Sequence, residues 1–360
     1  MKGPVNEFPV IKTKVLGLDK KFDLNDPQER KEYFEAKAGP EIAKLRQHLT
    51  GNTFIAYLLG KKNSGKGTYT KLMAEILGVD KIGHISVGDL VRETYKIVGD
   101  SEEKKKIKEY LEKHYRGYIS IDEALDALVG KNQKALLPTE FILTLVRREI
   151  DQRAKKAIFL DGFPRDLDQI QYSMYFRNLI DYRSDPDIFV AINIPESVLD
   201  ERMRNRVVCP VCHAPRNLTT FPTKEAGYDE KTKQFYLKCD NSECQGARMV
   251  GKEGDSAGIE SIRERLELDD KLIKKVMSLH GIPKILLRNA IPVDSIEKNI
   301  VDEYEITPMY SFKLDEKTGK VVISEKPWII KDDEGRDSYS LLAPPVVVAL
   351  IKQLVKALEL

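Results

Sequence analysis

Phe54-Ile55-Ala56-Tyr57-Leu58-Leu59-Gly60-Lys61-Lys62-Asn63-Ser64-Gly65-Lys66-Gly67-Thr68 is the stretch that decides the fold. Its six opening residues form an unbroken apolar run, the pattern of a strand covered on both faces. The apolar spacing from Thr70 to Leu77 is that of a helix. Between the two lie glycines at 60, 65 and 67 with Lys66 among them. This is the spacing of a phosphate-binding loop, in which backbone N–H groups and a helix N-terminus face the phosphates and the lysine adds a mobile charge. Gly67 stands where the general pattern has Ser or Thr, and Thr68 supplies a hydroxyl one place later. A glycine-rich surface turn would share the composition. It would not need a buried strand before it and a helix after it.

Outward from the loop, the runs Ala157 to Leu160, Ile188 to Ile192 and Ile285 to Leu287 repeat the buried-strand pattern, separated by longer helical stretches. Such alternation predicts an α/β fold with a parallel sheet flanked by helices. The first of these, Ala157 to Leu160, ends in Asp161, a carboxylate that at the carboxyl edge of a strand beside the loop could hold Mg2+ through water. Asp26-Pro27-Gln28-Glu29 places an N-cap, a first-turn proline and a capping-box Glu in order, so a helix should begin there. Gly39-Pro40 should end it, with a second short helix following. The charge-rich segment 101 to 115 reads as a solvated helix face. Beyond residue 305 the pattern predicts a hairpin from Phe312 to Ile323 and an amphipathic helix through Val347, Leu350, Leu354 and Leu358.

The 360 residues give a prior of two or three domains, at about 150 residues each. With 59 Lys and Arg against 57 Asp and Glu, the net charge of +2 provides no general field for a polyanion. A content of 41% apolar and 32% charged residues is that of a folded, soluble protein. No apolar run reaches the roughly 18 residues of a membrane span, and Met1 to Glu7 lacks the apolar core of a signal peptide. A reducing cytoplasm is therefore expected.

Gly65-Lys66-Gly67-Thr68, His84 to Arg92 and Asp161-Gly162-Phe163-Pro164-Arg165 together resemble the adenylate kinases and their nucleoside monophosphate kinase relatives over roughly residues 52 to 304. The resemblance implies a five-stranded P-loop core with a helical acceptor-binding region at about 82 to 150 and a lid at about 206 to 258. Extensions at 1 to 51 and 305 to 360 then lie outside the core. It implies that Gly60, Asn63, Ser64, Gly65, Lys66, Gly67, Thr68, Asp161 and Arg202 hold ATP and Mg2+. It further implies that Arg92 and Arg165 grip the acceptor monophosphate, with Val87, Gly162, Gln169 and Arg265 also at the acceptor. Arg202 and Arg206 fall at the start of the lid and Arg265 at its end, with Arg248 the candidate for a further lid arginine and Asp255 for a magnesium-water ligand. Planar guanidinium groups suit this chemistry because they bind phosphate bidentately. Arg204 and Arg263 read as surface residues.

Three departures stand out. Asn63 replaces a loop glycine and calls for a left-handed backbone, which Asn accepts better than most residues. Val87 replaces the usual Thr before Gly-Asp, which weakens the case for AMP against UMP or CMP. The acceptor-binding region is about twenty residues longer than the family's common form.

Cys209-Pro-Val-Cys212 and Cys239-Asp-Asn-Ser-Glu-Cys244 suggest a tetrahedral, structural zinc site rather than disulfides in a chain without an export signal. His213 or Asp240 could replace one thiolate. The expected reaction is ATP + AMP = 2 ADP, by a monomer with no membrane or nucleic-acid partner. The rival readings are a UMP/CMP kinase of the same family, favoured by Val87 and opposed by Gln169, and a non-catalytic P-loop module whose zinc ribbon binds nucleic acid or a protein partner, although Asp229, Glu230, Asp240 and Glu243 dilute its basic residues.

Overall fold

The computed structural model describes residues 8–97, 101–128, 137–153, 155–164 and 185–360. Before the sheet comes helix α1 (Pro27–His48), whose N-cap Asp26 accepts hydrogen bonds from the N–H groups of Gln28 and Glu29. Within it the two helices expected on either side of Gly39-Pro40 are both present, joined at a kink where Ala38 leaves helical geometry (φ −151°, ψ 24°). Pro40 lacks an N–H and its ring crowds the carbonyl four residues earlier, which interrupts the helical ladder here.

The central sheet holds five parallel strands: β1 (Ile55–Gly60), β2 (Ile82–Ser86), β3 (Ala157–Asp161), β4 (Asp187–Asn193) and, late in the chain, β10 (Lys284–Arg288). Their order across the sheet is β10-β4-β1-β3-β2, so the loop-bearing β1 is central. Side chains alternate along β1. Ala56 and Leu58 enter one buried apolar cluster, while Ile55, Tyr57 and Leu59 enter another on the opposite face. The first face is covered by α1, α2 (Lys66–Leu77) and the C-terminal helix α9 (Ala343–Ala357). The second is covered by α3 (Val87–Ile97), α4 (Ser101–His114), α5 (Ile121–Leu128), α6 (Thr139–Gln152) and α8 (Arg263–Met277).

Helix α7 (Glu196–Arg204) leads into the cysteine-bearing module. There β5 (Arg206–Val208) pairs antiparallel with β6 (Pro215–Asn217) and with β9 (Val250–Gly251), beside a hairpin of β7 (Ala226–Asp229) and β8 (Gln234–Leu237). After β10 the chain forms the small sheet of β11 (Ala290–Pro292), β14 (Ile329–Lys331) and β15 (Asp337–Ser340), with the expected hairpin of β12 (Pro308–Leu314) and β13 (Val321–Pro327) between. That hairpin reaches the cysteine module. The Tyr310 N–H donates to the Thr219 carbonyl at 2.7 Å. The rings of Phe312 and Phe235 stack with centroids 5.8 Å apart.

The N-terminal segment is pinned to the later part of the chain through a buried polar cluster. Glu305 accepts from the hydroxyls of Thr13 and Tyr33, each at 2.5 Å, and the Lys37 ammonium donates to Asp302 at 2.6 Å. Lys14 also pairs with Asp302. Lys37 and Glu305 are fully buried, and the partners inside the cluster offset the cost of taking such polar groups out of water. Among the described residues, no helix is long and apolar enough to cross a membrane.

Candidate active site

The loop between β1 and α2 is shaped by residues that tolerate its backbone. Gly65 lies at φ +94° and Asn63 at φ +66°, both in the left-handed region, as position 63 requires for an Asn. A Cβ at Gly60 would stand 2.7 Å from Ser64 Oγ and 3.2 Å from Ile192 Cβ, so only glycine fits. At Gly67 a Cβ would meet nothing within 4 Å. Such open space beside the first turn of α2 allows an anion to approach the N–H groups that have no partner within the helix.

Lys66, at the first position of α2, folds back over this loop. Its Nζ donates to the Gly60 carbonyl at 2.8 Å and to the Lys61 carbonyl at 3.1 Å, and lies 3.8 Å from Asp161 Oδ1. Asp161 ends β3 and pairs in register with Leu58 of β1, which sets its carboxylate beside the loop. A cleft of about 530 Å3 opens here, lined by the loop, Asp161, Arg202 and Arg206. Arg202 Nη1 donates to the Asn63 carbonyl at 3.2 Å. Desolvation draws the Arg202 guanidinium below its ordinary pKa, though a guanidinium remains charged at neutral pH. Arg206 donates to Asp255 at 2.5 Å and to Asn63 Oδ1 at 3.1 Å. An adjoining small cavity brings Arg265 to Gly60, Lys66, Asp161 and Gly162. Arg265 pairs with Asp269 at 2.9 Å, and burial still raises the Asp269 carboxyl above its usual value.

The loop, Lys66, Asp161, Arg202, Arg206 and Arg265 are therefore gathered into one region. Thr68 is exposed on the cleft wall, and Gly162 takes φ +83°. On the acceptor side, Ser86 Oγ accepts from the Asp89 N–H at 3.3 Å at the start of α3, and Val87 beside it is buried. Arg92 is largely exposed and pairs with Asp89. Arg165 and Gln169 fall outside the described residues. Arg248 is not brought to the cleft: it pairs with Asp229 at 2.8 Å and lies over the Tyr236 ring. Asp255 is buried against Arg206. Arg204 and Arg263 form ion pairs with Asp200 and Glu196, away from the cleft lining.

Several lining residues escaped the sequence reading. Arg216 and Phe221 of the cysteine module form a cation–π pair at 4.9 Å on the cleft wall, near Tyr69 and Ala343. No local spacing marks them, because module, loop and α9 meet only in the folded chain. Lys61, which lines neither cavity, escaped the sequence reading as well. Its ammonium is buried behind the loop, 3.2 Å from both Glu196 and Asp270. Burial alone would lower its pKa, but Asp270, Asp333 and Glu196 together raise it.

In the cysteine module, one sulfur from each of Cys209, Cys212, Cys239 and Cys244 lies within 4.8 Å of the others, and three of these residues are buried. Four convergent thiols suit a tetrahedral metal, so this donor set could hold zinc. Asp240 is engaged elsewhere, accepting from Arg216 at 3.3 Å and from the Lys224 N–H at 3.1 Å.

Comparison with known proteins agrees with this geometry. The family model described as "Adenylate kinase" matches residues 58–282. A Thermotoga neapolitana protein named "Adenylate kinase" is 29% identical over 252 residues, covering 69% of this chain and 96% of its own length. One from Thermotoga petrophila with the same name is 30% identical over 247 residues, 67% of this chain and 94% of its own. One from Staphylococcus epidermidis, also so named, is 26% identical over 248 residues, with 68% and 96% covered.

Proposed function

This chain belongs to the adenylate kinase family and is a phosphotransferase acting on nucleoside monophosphates, and from that premise we propose that it moves the terminal phosphoryl of ATP·Mg to AMP, giving two ADP. The observation that carries this reading is the convergence of Lys66, Arg202, Arg206 and Arg265 around one phosphate loop. Phosphoryl transfer asks little covalent chemistry of a protein; it needs two phosphates in line and the travelling charge neutralised.

The loop N–H groups and Lys66 hold the β- and γ-phosphates of ATP. Arg202 and Arg206 approach from the module side and Arg265 from α8, so cations surround the oxygens on which charge develops. Asp161 would hold the magnesium that travels with ATP, which would neutralise charge on the polyphosphate. Arg92 and Arg165 fix the acceptor phosphate, and Gln169 reads the adenine edge. The acceptor phosphate is already an anion, and no general base is required. Arg248, held on Asp229, is given no part in this arrangement.

Water at the γ-phosphate would divert the reaction to hydrolysis. The cysteine module forms part of the cleft wall through Arg216, Asn217 and Phe221, and we assign it the role of a lid. Cys209, Cys212, Cys239 and Cys244 would hold structural zinc, which fixes the shape of the module and takes no part in the chemistry.

Initial rates of diphosphate formation with AMP, UMP, CMP and GMP test the proposal. AMP should be the fastest acceptor. Negligible turnover of AMP beside rapid turnover of UMP or CMP would overturn the choice of base and favour a pyrimidine reading, for which buried Val87, lacking a hydroxyl, already speaks.

A further inference from the structure

Position 63 is where the loop departs from the glycine expected there, and the side chain that replaces it is placed to act. The φ of +66° would suit glycine, so Asn63 is not needed to shape the backbone. Its Oδ1 accepts from Arg206 Nη1 at 3.1 Å, while its main-chain carbonyl accepts from Arg202 Nη1 at 3.2 Å. One residue thus touches both arginines at the start of the cysteine module.

The amide can face Arg206 in only one sense. A guanidinium has donors and no acceptor, so the oxygen must point toward it and the NH2 must point away. That Nδ2 is shut off from solvent and has no hydrogen-bond partner among the described residues. A buried donor left unpaired is costly, and an acceptor beside it removes the cost. Asn63 lines the same cleft as Ser64, Lys66, Arg202 and Arg206, where polyphosphate oxygens are the acceptors that the kinase reading supplies.

We propose that Asn63 is a positioning residue: it clamps Arg206 through its amide oxygen and, as the side chains covering it shift on nucleotide entry, its Nδ2 hydrogens meet a phosphate oxygen of the donor nucleotide. The inference rests on the phosphoryl-transfer reading for its ligand. Neutrality is essential to the dual role. Aspartate could hold the arginine but would set a negative charge beside the phosphates, and glycine could do neither.

The test is a double-mutant cycle of Asn63→Gly and Arg206→Ala, with Asn63→Asp alongside. Kinetics with ATP, melting temperature and binding of inorganic tripolyphosphate are measured on the full chain. Asn63→Gly keeps the left-handed backbone and should melt with the wild type, while kcat/KM for ATP falls about tenfold, the scale of one hydrogen bond to a charged group. With Arg206→Ala already present, the same change should cost only about twofold. Asn63→Asp should weaken tripolyphosphate binding more than Asn63→Gly does. An Asn63→Gly enzyme with wild-type kinetics, or a loss that persists in full without Arg206, would overturn the proposal. Because tripolyphosphate binding is read without turnover, failure of AMP as an acceptor would count against the reaction assigned above and leave this result standing.

Discussion

Replacing Lys66 by methionine removes one positive charge from the loop and keeps most of the side chain's length and packing. The ammonium lies 2.8 Å from the Gly60 carbonyl and 3.8 Å from Asp161, so a phosphate oxygen held by the same loop would lie at a similar range. Two unit charges about 4 Å apart interact by about 4 kcal/mol at an effective dielectric near 20. If all of that stabilises the transition state relative to free enzyme and ATP, kcat/KM falls by about 10³. The share already felt by bound ATP appears in KM and the remainder in kcat. Fold stability should change less, because the partners left behind are two loop carbonyls and Asp161, none of them in the apolar core. The assay is coupled diphosphate formation with ATP and AMP, with melting followed in parallel. A Lys66→Met protein that melts normally and keeps more than about a tenth of kcat/KM would show that this charge does not face the reacting phosphates.

Two further outcomes follow from other parts of the molecule. Purified protein should carry about one zinc per chain if the four thiols hold it, and removal by a chelator should lower the melting temperature, as should Cys244→Ser; an unchanged melt on demetallation would refute the site. Burial alone would raise the Asp302 carboxyl, but the hydrogen bonds from Lys14 and Lys37 hold it below its ordinary value. The native state therefore binds this proton less readily than the unfolded chain, and the stability it contributes is fully present above about pH 4 and lost as pH falls through the lower folded value. Asp302→Asn should lower the melting temperature at pH 7 and flatten the acid limb of the melting curve; an acid limb as steep as the wild type's would show that Asp302 is not the group responsible.

The fold was legible wherever one element announced itself locally. The loop, its flanking strand and helix, three further buried strands, the hairpin and the last helix follow from runs, spacing and glycines. Strand β2 did not, because Ile-Gly-His-Ile-Ser offers no continuous apolar run, and its pairing with β3 supplies what its composition lacks. The interruption in α1 was legible because Gly39-Pro40 carries the signal of a helix end, and residues of both halves enter the same buried cluster. In the site, the chain gives Lys66, Arg202, Arg206 and Arg265 through their motifs, and the structure gathers them. Arg248 shows the limit of spacing alone. It lies in the right segment, but Asp229 and Tyr236 on the neighbouring hairpin hold it away from the loop. Arg216, Phe221 and Lys61 were invisible for the complementary reason: the loop that the first two face across the cleft, and the carboxylates that hold Lys61, are far away in sequence.

The stack of Phe312 on Phe235 couples two parts of the chain that the family match separates, since residue 312 lies beyond the matched span. If the cysteine module closes over the cleft as proposed, it cannot travel as a free flap while this ring and the Tyr310 N–H grip it. Any arc it describes must either drag the β12–β13 ribbon along as cargo or peel the two apart. The tempo of opening would then depend on a joint that lies outside the catalytic core.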